Sequence, residues 1–248
     1  MKNPILRPFA RLQDSLAKRF LWRDHLAEAE AELSRMRREL PGDEMMMAIP
    51  FLFKGKGYYQ TLKLKQNMVE LSGLVRELRK QPLRRVCEIG TFKGGTLFIW
   101  CQLAESAAHI ISVDLPGGQF GGGYSEKSLP FFQSFRKPGQ RLDCIRGSSH
   151  DSAVREEFRR TLGAGELDFL FIDGDHSYEG VKKDFEHYSP FVRKGGLIAF
   201  HDIHHRPEQP DIEVHRFWQE LKTEYRHEEF VETDSERRAI GLGLISKA

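Results

Sequence analysis

Short apolar runs alternate with amphipathic segments from residue 62 to residue 221, and this alternation limits the folds that the chain can adopt. Because helices cover both faces of a parallel sheet, its strands read as continuous apolar runs of this length. The pattern therefore predicts an α/β fold with a doubly wound, Rossmann-like sheet. Strands are predicted at 84–89, 108–113, 142–145, 167–172 and 196–200, and helices at 62–80, 94–104, 152–162, 178–191 and 212–221.

The C-terminal residues extend this sheet. Two β-rich runs, 228–232 and 239–245, flank a polar segment and together predict a hairpin. With the five runs described above they make a seven-stranded sheet. We expect it to be mostly parallel, with an antiparallel C-terminal strand.

The N-terminal part of the chain has a different pattern. Apolar residues recur at helical spacing over 9–40, which predicts amphipathic helices that pack on the domain or mediate a homodimer. Residues 45–59 combine methionines with aromatic residues and glycines, as in a mobile apolar flap or in a loop whose aromatic side chains lie in the core. We therefore divide the chain into an N-terminal helical extension and lid, 1–60, and a main domain, 61–248.

The charge balance and hydropathy limit the partners and the location of the protein. The chain has 38 basic and 36 acidic residues, and its net charge of +2 gives no field of the kind that nucleic-acid-binding proteins carry. No run of about 18 apolar residues is present to cross a bilayer. The N-terminal residues also lack the pattern of a secretory signal. We expect a small-molecule partner, no nucleic acid, no transmembrane segment and a cytoplasmic location.

The turn after the first predicted strand carries a candidate ligand-binding loop, which runs from Glu88 to Thr96. Glycines at such a corner let the backbone approach a ligand, and the amides at the start of the next helix can donate to an anionic group. The following strand ends in an acid, 24 residues after Gly90, whose carboxylate can accept hydrogen bonds from both hydroxyls of a ribose. The candidate cofactor ligands are Glu88, Gly90, Thr91, Gly94, Thr96 and Asp114.

Two kinds of cofactor use this layout. A dinucleotide site requires G-x-G-x-x-G, because the second glycine lets the backbone approach the pyrophosphate, and here that position is Phe92. The observed pattern, E-x-G-x-x-x-G, argues against an NAD-dependent oxidoreductase, which stays an alternative. A non-catalytic scaffold and a strand-to-helix turn without a ligand are the other interpretations.

Polar residues also follow two later strands. The fourth predicted strand ends at Asp173, with His176 three residues later, and the fifth is followed by His201 and Asp202. Because ligands of open parallel sheets bind beyond the carboxyl ends of the strands, we expect these residues to converge beside the loop. Carboxylate oxygens suit Mg²⁺, so Asp173 and Asp202, joined by His201, form a candidate metal site. His176 is the candidate general base, although Asp173 could instead cap a helix and His176 could be an ordinary loop histidine.

Three segments together resemble the class I S-adenosylmethionine-dependent methyltransferases, in the group that includes macrocin-type sugar O-methyltransferases and cephalosporin-hydroxylase-like proteins. They are 88–96, 171–179 and 195–202, with the sequences EIGTFKGGT, FIDGDHSYE and GGLIAFHD. The resemblance implies S-adenosylmethionine as the cofactor, with Glu88 and Gly90 facing it. It also implies that the corner after the third strand, with Ser149 and His150, lies near the adenine, although Ser149 or Asp151 could instead cap the next helix.

The same resemblance implies roles for the later residues. In the more distant catechol O-methyltransferases the acid that matches Asp173 binds Mg²⁺, and the pair after the next strand matches His201 and Asp202. Sugar-modifying relatives use a histidine at the position of His176 as the base. The implied activity is methylation of a hydroxyl of a sugar, a glycan or a secondary metabolite, with Asp173 also near the cofactor. His201 departs from the acid or acid-amide pair of metal-dependent relatives, and Mn²⁺ is therefore an alternative to Mg²⁺.

Overall fold

The computed structural model describes residues 25–118, 123–233 and 239–248 of the chain. Within these residues the backbone forms a seven-stranded sheet with the strand order β3-β2-β1-β4-β5-β7-β6. The strands are β1 Arg85–Ile89, β2 His109–Asp114, β3 Arg141–Arg146, β4 Leu167–Ile172, β5 Val192–His201, β6 His227–Phe230 and β7 Leu242–Ser246. The first five are parallel, and β7 runs antiparallel to both β5 and β6. The predicted fold class and the C-terminal hairpin are confirmed.

Helices cover both faces of this sheet. Besides helical residues 25–39, named α1, they are α2 Asp43–Leu52, α3 Met68–Leu78, α4 Gly95–Leu103, α5 Leu129–Gln133, α6 Ser152–Leu162, α7 Tyr178–Tyr188 and α8 Val214–Glu224. One apolar core lies against α1 to α5 and includes Leu33 and Phe171, and the other lies against α6 to α8 and includes Ile172 and Trp218. Because successive residues of a strand point to opposite faces, the apolar run 169–172 of β4 supplies side chains to both cores.

Helix α3 begins later than its apolar periodicity predicts. The expected helix at 62–80 begins only at Met68, because Asn67 accepts a hydrogen bond at 2.9 Å from the Glu70 amide and Glu70 in turn accepts one from the Asn67 amide. The residues before this capping box therefore run toward the loop after β1. There, the backbone oxygen of Lys63 accepts a hydrogen bond at 3.1 Å from the Gly95 amide.

The mobile flap expected at 45–59 is wrong for its first half, which is helix α2. Methionine is a good helix former whose flexible side chain fills irregular gaps, and Met46, Met47 and Ile49 are buried along one side of this helix. Two acids in the first turn interact favourably with the helix dipole. The methionine-rich composition therefore marks a packed helix.

The segment 115–140, between β2 and β3, is regular in part. Its helix α5 buries two phenylalanines, and Tyr59 packs on one of them, Phe131, with ring centroids 5.4 Å apart. The Tyr59 hydroxyl also donates to the backbone oxygen of Lys127 at 2.9 Å. Residues 119–122 lie outside the described residues. The segment is thus attached to the N-terminal part of the chain.

The N-terminal amphipathic pattern is described only in part, because residues 9–24 lie outside the described residues. The rest forms α1, which buries Ala29, Leu33 and Met36 in the same core as α2 and α4. None of the helices that the structure describes is long and apolar enough to span a membrane. The division of the chain at residue 60 stays a prediction.

Candidate active site

The loop after β1 has a backbone conformation that suits glycine. Gly90 has a φ of +87°, and a Cβ there would lie 1.9 Å from the backbone oxygen of Asp173. Phe92 also has a positive φ, +51°, which is uncommon for a residue other than glycine. The amides of Thr91 and Phe92 both donate to Oδ2 of Asp114, at 3.0 and 2.8 Å. Backbone hydrogen bonds therefore fix the loop to the end of β2.

Asp114 lies in the wall of a cavity beside this loop. Burial raises the pKa of Asp114 to about 6, although the amides of Phe92 and Thr91 act in the opposite direction. A carboxylate has more acceptor positions than two amides occupy. Asp114 can therefore also accept hydrogen bonds from the hydroxyls of a ligand.

Glu88 lies behind the loop, and it does not line the cavity. Its Oε1 accepts a hydrogen bond from Trp100 Nε1, and its Oε2 accepts one from Thr91 Oγ1, both at 2.8 Å. Burial raises the pKa of Glu88 to about 8, against the effect of hydrogen bonds from Thr96, Thr91 and Trp100. The alternation of side chains along β1 points Glu88 toward α4, away from the face of Ile89. Glu88 and Thr96 thus support the loop from behind.

The corner after β3 places Ser149 and His150 in the cavity wall. The Ser149 hydroxyl donates to Oδ1 of Asp184 at 2.5 Å, and Nε2 of His150 lies 3.2 Å from the same oxygen. The hydrogen bond with Asp184 raises the pKa of His150. The alternative of a helix cap is not observed, because no side chain caps α6 at Asp151.

The polar residues after β4 and β5 form one cluster at the carboxyl edge of the sheet. Nδ1 of His201 lies 3.0 Å from Oδ1 of Asp173 and 3.5 Å from Oδ2 of Asp202. Nδ1 of His176 lies 2.7 Å from the same Asp202 oxygen, and its Nε2 lies 3.5 Å from Oδ1 of Asp173. The two acids and two histidines named from the sequence are therefore in mutual contact, and we call them the ion cluster.

The other oxygens of both acids bind residues from outside the ion cluster. Gln66 donates from Nε2 to Oδ2 of Asp173 at 2.9 Å, and the Arg206 guanidinium donates to Oδ1 of Asp202. These hydrogen bonds fix the orientation of each carboxylate. As a result, one oxygen of each acid is directed toward His201.

Opposite charges set the protonation of the ion cluster. Burial alone would raise the pKa of Asp202, but the charges of His201, His176 and Arg206 hold it well below its usual value. Burial lowers the pKa of His201, yet Asp173 and Asp202 together raise it to about 9. The pKa of His176 is also raised, because the Asp202 hydrogen bond and the Asp173 charge outweigh its burial. Asp202 is thus ionised at neutral pH.

The residues of the predicted metal site fit a divalent cation. One ligand atom from each of Asp173, His201 and Asp202 lies within 4.8 Å of the other two. Two carboxylates and an imidazole suit Mn²⁺ as well as Mg²⁺. The hydrogen bonds from Gln66 and Arg206 are of the kind that orients metal ligands in other proteins.

The cavity at this edge has a volume of about 730 Å³. Of the residues predicted to form the site, its wall contains Gly90, Asp114, Ser149, His150, Asp173 and His176. The others are buried behind this wall, namely Glu88, Thr91, Gly94, Thr96, His201 and Asp202. The sequence thus located the cavity, but only half of the named residues face it.

Comparison with known proteins finds a family that part of the chain resembles. Residues 87–203 match the model of a family described as a methyltransferase domain, and this range contains the glycine loop, the Ser149 corner and the ion cluster. The match covers 117 of the 248 residues, a little under half of the chain. The resemblance to class I methyltransferases noted in the sequence is thereby confirmed.

Two curated relatives match part of the chain. The uncharacterized protein R132 of Acanthamoeba polyphaga mimivirus is 34% identical over 144 residues, which are 57% of this chain and 61% of the viral protein. The uncharacterized protein y4gI of Sinorhizobium fredii is 28% identical over 152 residues, 60% of this chain and 16% of that protein. The chain therefore spans less than two thirds of the length of either relative.

Solved structures show the same fold for the chain. An O-methyltransferase from Bacillus cereus, in complex with S-adenosylhomocysteine (SAH), superposes with a TM-score of 0.54 at 14% identity over 91% of each chain. The O-methyltransferase TomG from Streptomyces achromogenes, in complex with S-adenosylmethionine (SAM), gives 0.53 at 14% identity over 89% of this chain and 90% of TomG. The likeness extends beyond the matched family domain.

Sequence reasoning missed four residues of the candidate site. Lys65, whose Nζ lies 5.9 Å from the ring centroid of Phe92, and Gln66 precede α3 and are distant in sequence from every strand end. Arg206 follows Asp202 by four residues, and this spacing is the only feature of the local sequence that indicates a contact between them. Asp184 takes a position on the buried side of α7, and an acid at an apolar position was a signal that could have found it.

Proposed function

We propose that this protein transfers the methyl group of SAM to a hydroxyl oxygen of a small-molecule acceptor, such as a sugar, a glycan or a secondary metabolite. One observation carries the proposal: the glycine loop and two members of the ion cluster, Asp173 and His176, line the same cavity. The match to the methyltransferase family model supports methyl transfer, and two proteins of the same fold are O-methyltransferases in complex with SAH or SAM.

In this proposal the adenosyl group lies between Asp114 and the Ser149 corner. The Asp114 carboxylate accepts hydrogen bonds from the ribose hydroxyls. Gly90 has no side chain to obstruct the ligand, and its tight contact with Asp173 holds the two strand ends together. The methyl-bearing end of SAM then lies toward Asp173 and His176.

His176 is the proposed general base. Because Oδ2 of Asp202 lies 2.7 Å from its Nδ1, the Nδ1 proton is retained and Nε2 is the basic atom. Nε2 takes the proton of the acceptor hydroxyl while the oxygen–methyl bond forms and the methyl–sulfur bond breaks. The positive charge of the sulfonium is lost, and the proton is held on His176 beside two carboxylates.

We further propose that Asp173, His201 and Asp202 hold Mg²⁺ or Mn²⁺. Such a cation would lower the pKa of an acceptor hydroxyl and orient it. The contacts of Gln66 and Arg206 with the two acids support this assignment, because they fix the ligand oxygens in advance.

Calorimetric titration tests the cofactor. SAM, SAH and NAD are each titrated into the protein with Mg²⁺ and with a chelator, and we expect binding of the two adenosyl ligands only. Binding of NAD without any response to SAM or SAH would refute the proposal in favour of an oxidoreductase.

An acceptor screen tests the reaction. Formation of SAH is followed with catechol, free sugars and nucleotide sugars, and we expect turnover with at least one hydroxyl acceptor. A chelator should stop this turnover, and Mg²⁺ or Mn²⁺ should restore it. Turnover that a chelator leaves unchanged contradicts the metal assignment while leaving methyl transfer in place. The homodimer, the cytoplasmic location and the absence of a nucleic-acid partner stay predictions from the sequence.

A further inference from the structure

Asp184 of α7 is an acid that the proposed methyl transfer does not use. Its side chain is fully buried, and Oδ2 has no hydrogen-bond partner among the described residues. Burial of a carboxylate costs free energy unless its oxygens are hydrogen-bonded or paired with a charge. Those contacts, through Oδ1, are with Ser149 and His150, and both of these residues line the cavity.

The surroundings of His150 determine which ring nitrogen carries hydrogen. Nε2 lies 3.2 Å from Oδ1 of Asp184 and 3.2 Å from the backbone oxygen of Gly180. A carboxylate and a carbonyl oxygen only accept hydrogen bonds, so Nε2 is the donor. In the neutral ring Nδ1 is then an acceptor. The Ser149 hydroxyl is also occupied, because it donates to Asp184.

We propose that Asp184 sets the base specificity of the adenosyl site by fixing His150 with Nδ1 as a hydrogen-bond acceptor. An acceptor in this wall matches the exocyclic amino group of adenine, which is a donor. A base with a 6-oxo group would place an acceptor opposite Nδ1. Asp184 is therefore a positioning residue that acts through His150, and this inference rests on the proposed function because it concerns the adenosyl ligand.

Two ligands that differ only in the base test this inference. SAH and S-inosylhomocysteine, in which a 6-oxo group replaces the amino group, are titrated separately by calorimetry. The titrations are repeated at increasing pH until the affinities no longer change, because Asp184 raises the pKa of His150 above its ordinary value of about 6.5 and a protonated ring has no acceptor. We expect the wild type to bind SAH about tenfold more tightly than S-inosylhomocysteine, the effect of one buried hydrogen bond.

The substitution Asp184→Asn should remove this preference. The amide of asparagine can donate to Nε2, which leaves the Gly180 oxygen as the only acceptor there and lets the hydrogen move to Nδ1. We expect the ratio of the two dissociation constants to fall to about two or less, mainly through weaker binding of SAH. The matched control is Asp151→Asn, next to His150 at the exposed start of α6, which should keep the wild-type ratio.

A second variant and a spectrum keep the test decisive if Asp184→Asn does not fold. His150→Phe retains a flat ring and removes the nitrogen, so it should also lose the preference. In ¹⁵N NMR spectra of the wild type, Nδ1 of His150 should show the shift of a nitrogen without hydrogen.

Three results would overturn the inference alone, and a fourth would overturn the proposed function. Equal weakening of both ligands by Asp184→Asn, or a preference that persists in His150→Phe, overturns the inference and leaves Asp184 a purely structural role. Hydrogen on Nδ1 of His150 in the wild type overturns it as well. If the wild type binds neither ligand, the proposed function itself has failed.

Discussion

Two buried acids at the same edge of the sheet, Glu88 and Asp202, are held in opposite protonation states. Glu88 receives hydrogen bonds from neutral donors only, so burial dominates and raises its pKa to about 8. Asp202 is as deeply buried, but two histidines and an arginine surround it and hold its pKa low. The loop side of the cavity is thus built from neutral contacts and backbone amides, whereas the ion cluster depends on opposed charges. Substitutions that change charge should therefore affect the second region far more.

The largest effect is expected for Asp173→Asn. The change removes one negative charge from the ion cluster and one proposed metal ligand, so methyl transfer should fall about 10³-fold or more. SAH affinity should stay nearly unchanged, because the loop side is intact. Turnover and calorimetry measure the two quantities, and Asp175→Asn, a cavity acid outside the cluster, is the control. Loss of SAH binding would assign Asp173 to the cofactor pocket.

His176→Gln should reduce kcat about 10²-fold, the usual contribution of a general base, with a smaller change in KM. Because the pKa of His176 is raised, the wild type should lose activity as the pH falls through that pKa and the base becomes protonated. The variant should lack this acidic limb in its plot of kcat against pH. An unchanged limb would show that another group is the base.

A smaller loss, about tenfold in turnover, is expected for Gln66→Leu, since supports of metal ligands typically contribute about 10- to 100-fold. The variant keeps the charge of Asp173 but removes the 2.9 Å hydrogen bond that orients it. Lys63→Met, an exposed change on the same segment, serves as the control. Equal activity of both variants would mean that Asp173 needs no orienting partner.

Glu88→Gln should have the smallest effect on turnover but a clear effect on stability. Because the folded-state pKa of Glu88, about 8, lies above the ordinary value of 4.5 for a glutamate, the folded state binds the proton more tightly than the unfolded state does. The wild type should therefore lose unfolding free energy as the pH rises from about 4.5 to about 8, by a few kcal/mol. The variant should lack this decline in urea denaturation. Parallel curves for the two proteins would mean that Glu88 is ionised in the folded state.

The fold could be predicted from the sequence because each buried strand must supply apolar side chains to two cores. For this reason β4 has the predicted bounds, Leu167–Ile172, and helix α6 likewise matches at Ser152–Leu162. The predicted bounds were wrong where a local signal was not used or where tertiary packing set the start of an element. Asn67 and Glu70 form a capping box that marks the true start of α3. Strand β5 begins at Val192, whereas the sequence predicts its start at Gly196.

The site could be predicted only where its residues end strands. The ion cluster follows from strand ends at one edge, whatever the intervening chain does. Gln66 was missed because it reaches Asp173 from a segment 107 residues away, which no local pattern reveals. The motif predicts that Glu88 faces the cofactor. The alternation of side chains along β1 instead turns it toward Trp100.

Phe92 and Asp202 are the non-glycine residues with a positive φ in the described part of the chain, at +51° and +62°. Such conformations cost about 1–3 kcal/mol each, and both lie at the site. The turn at Phe92 directs two backbone amides at Asp114, and Asp202 is the acid that contacts His176. Glycine at either position should make the chain more resistant to urea and less precise as a binding site. Both residues thus weaken the fold at the site, as expected where a protein is shaped for chemistry and not for durability.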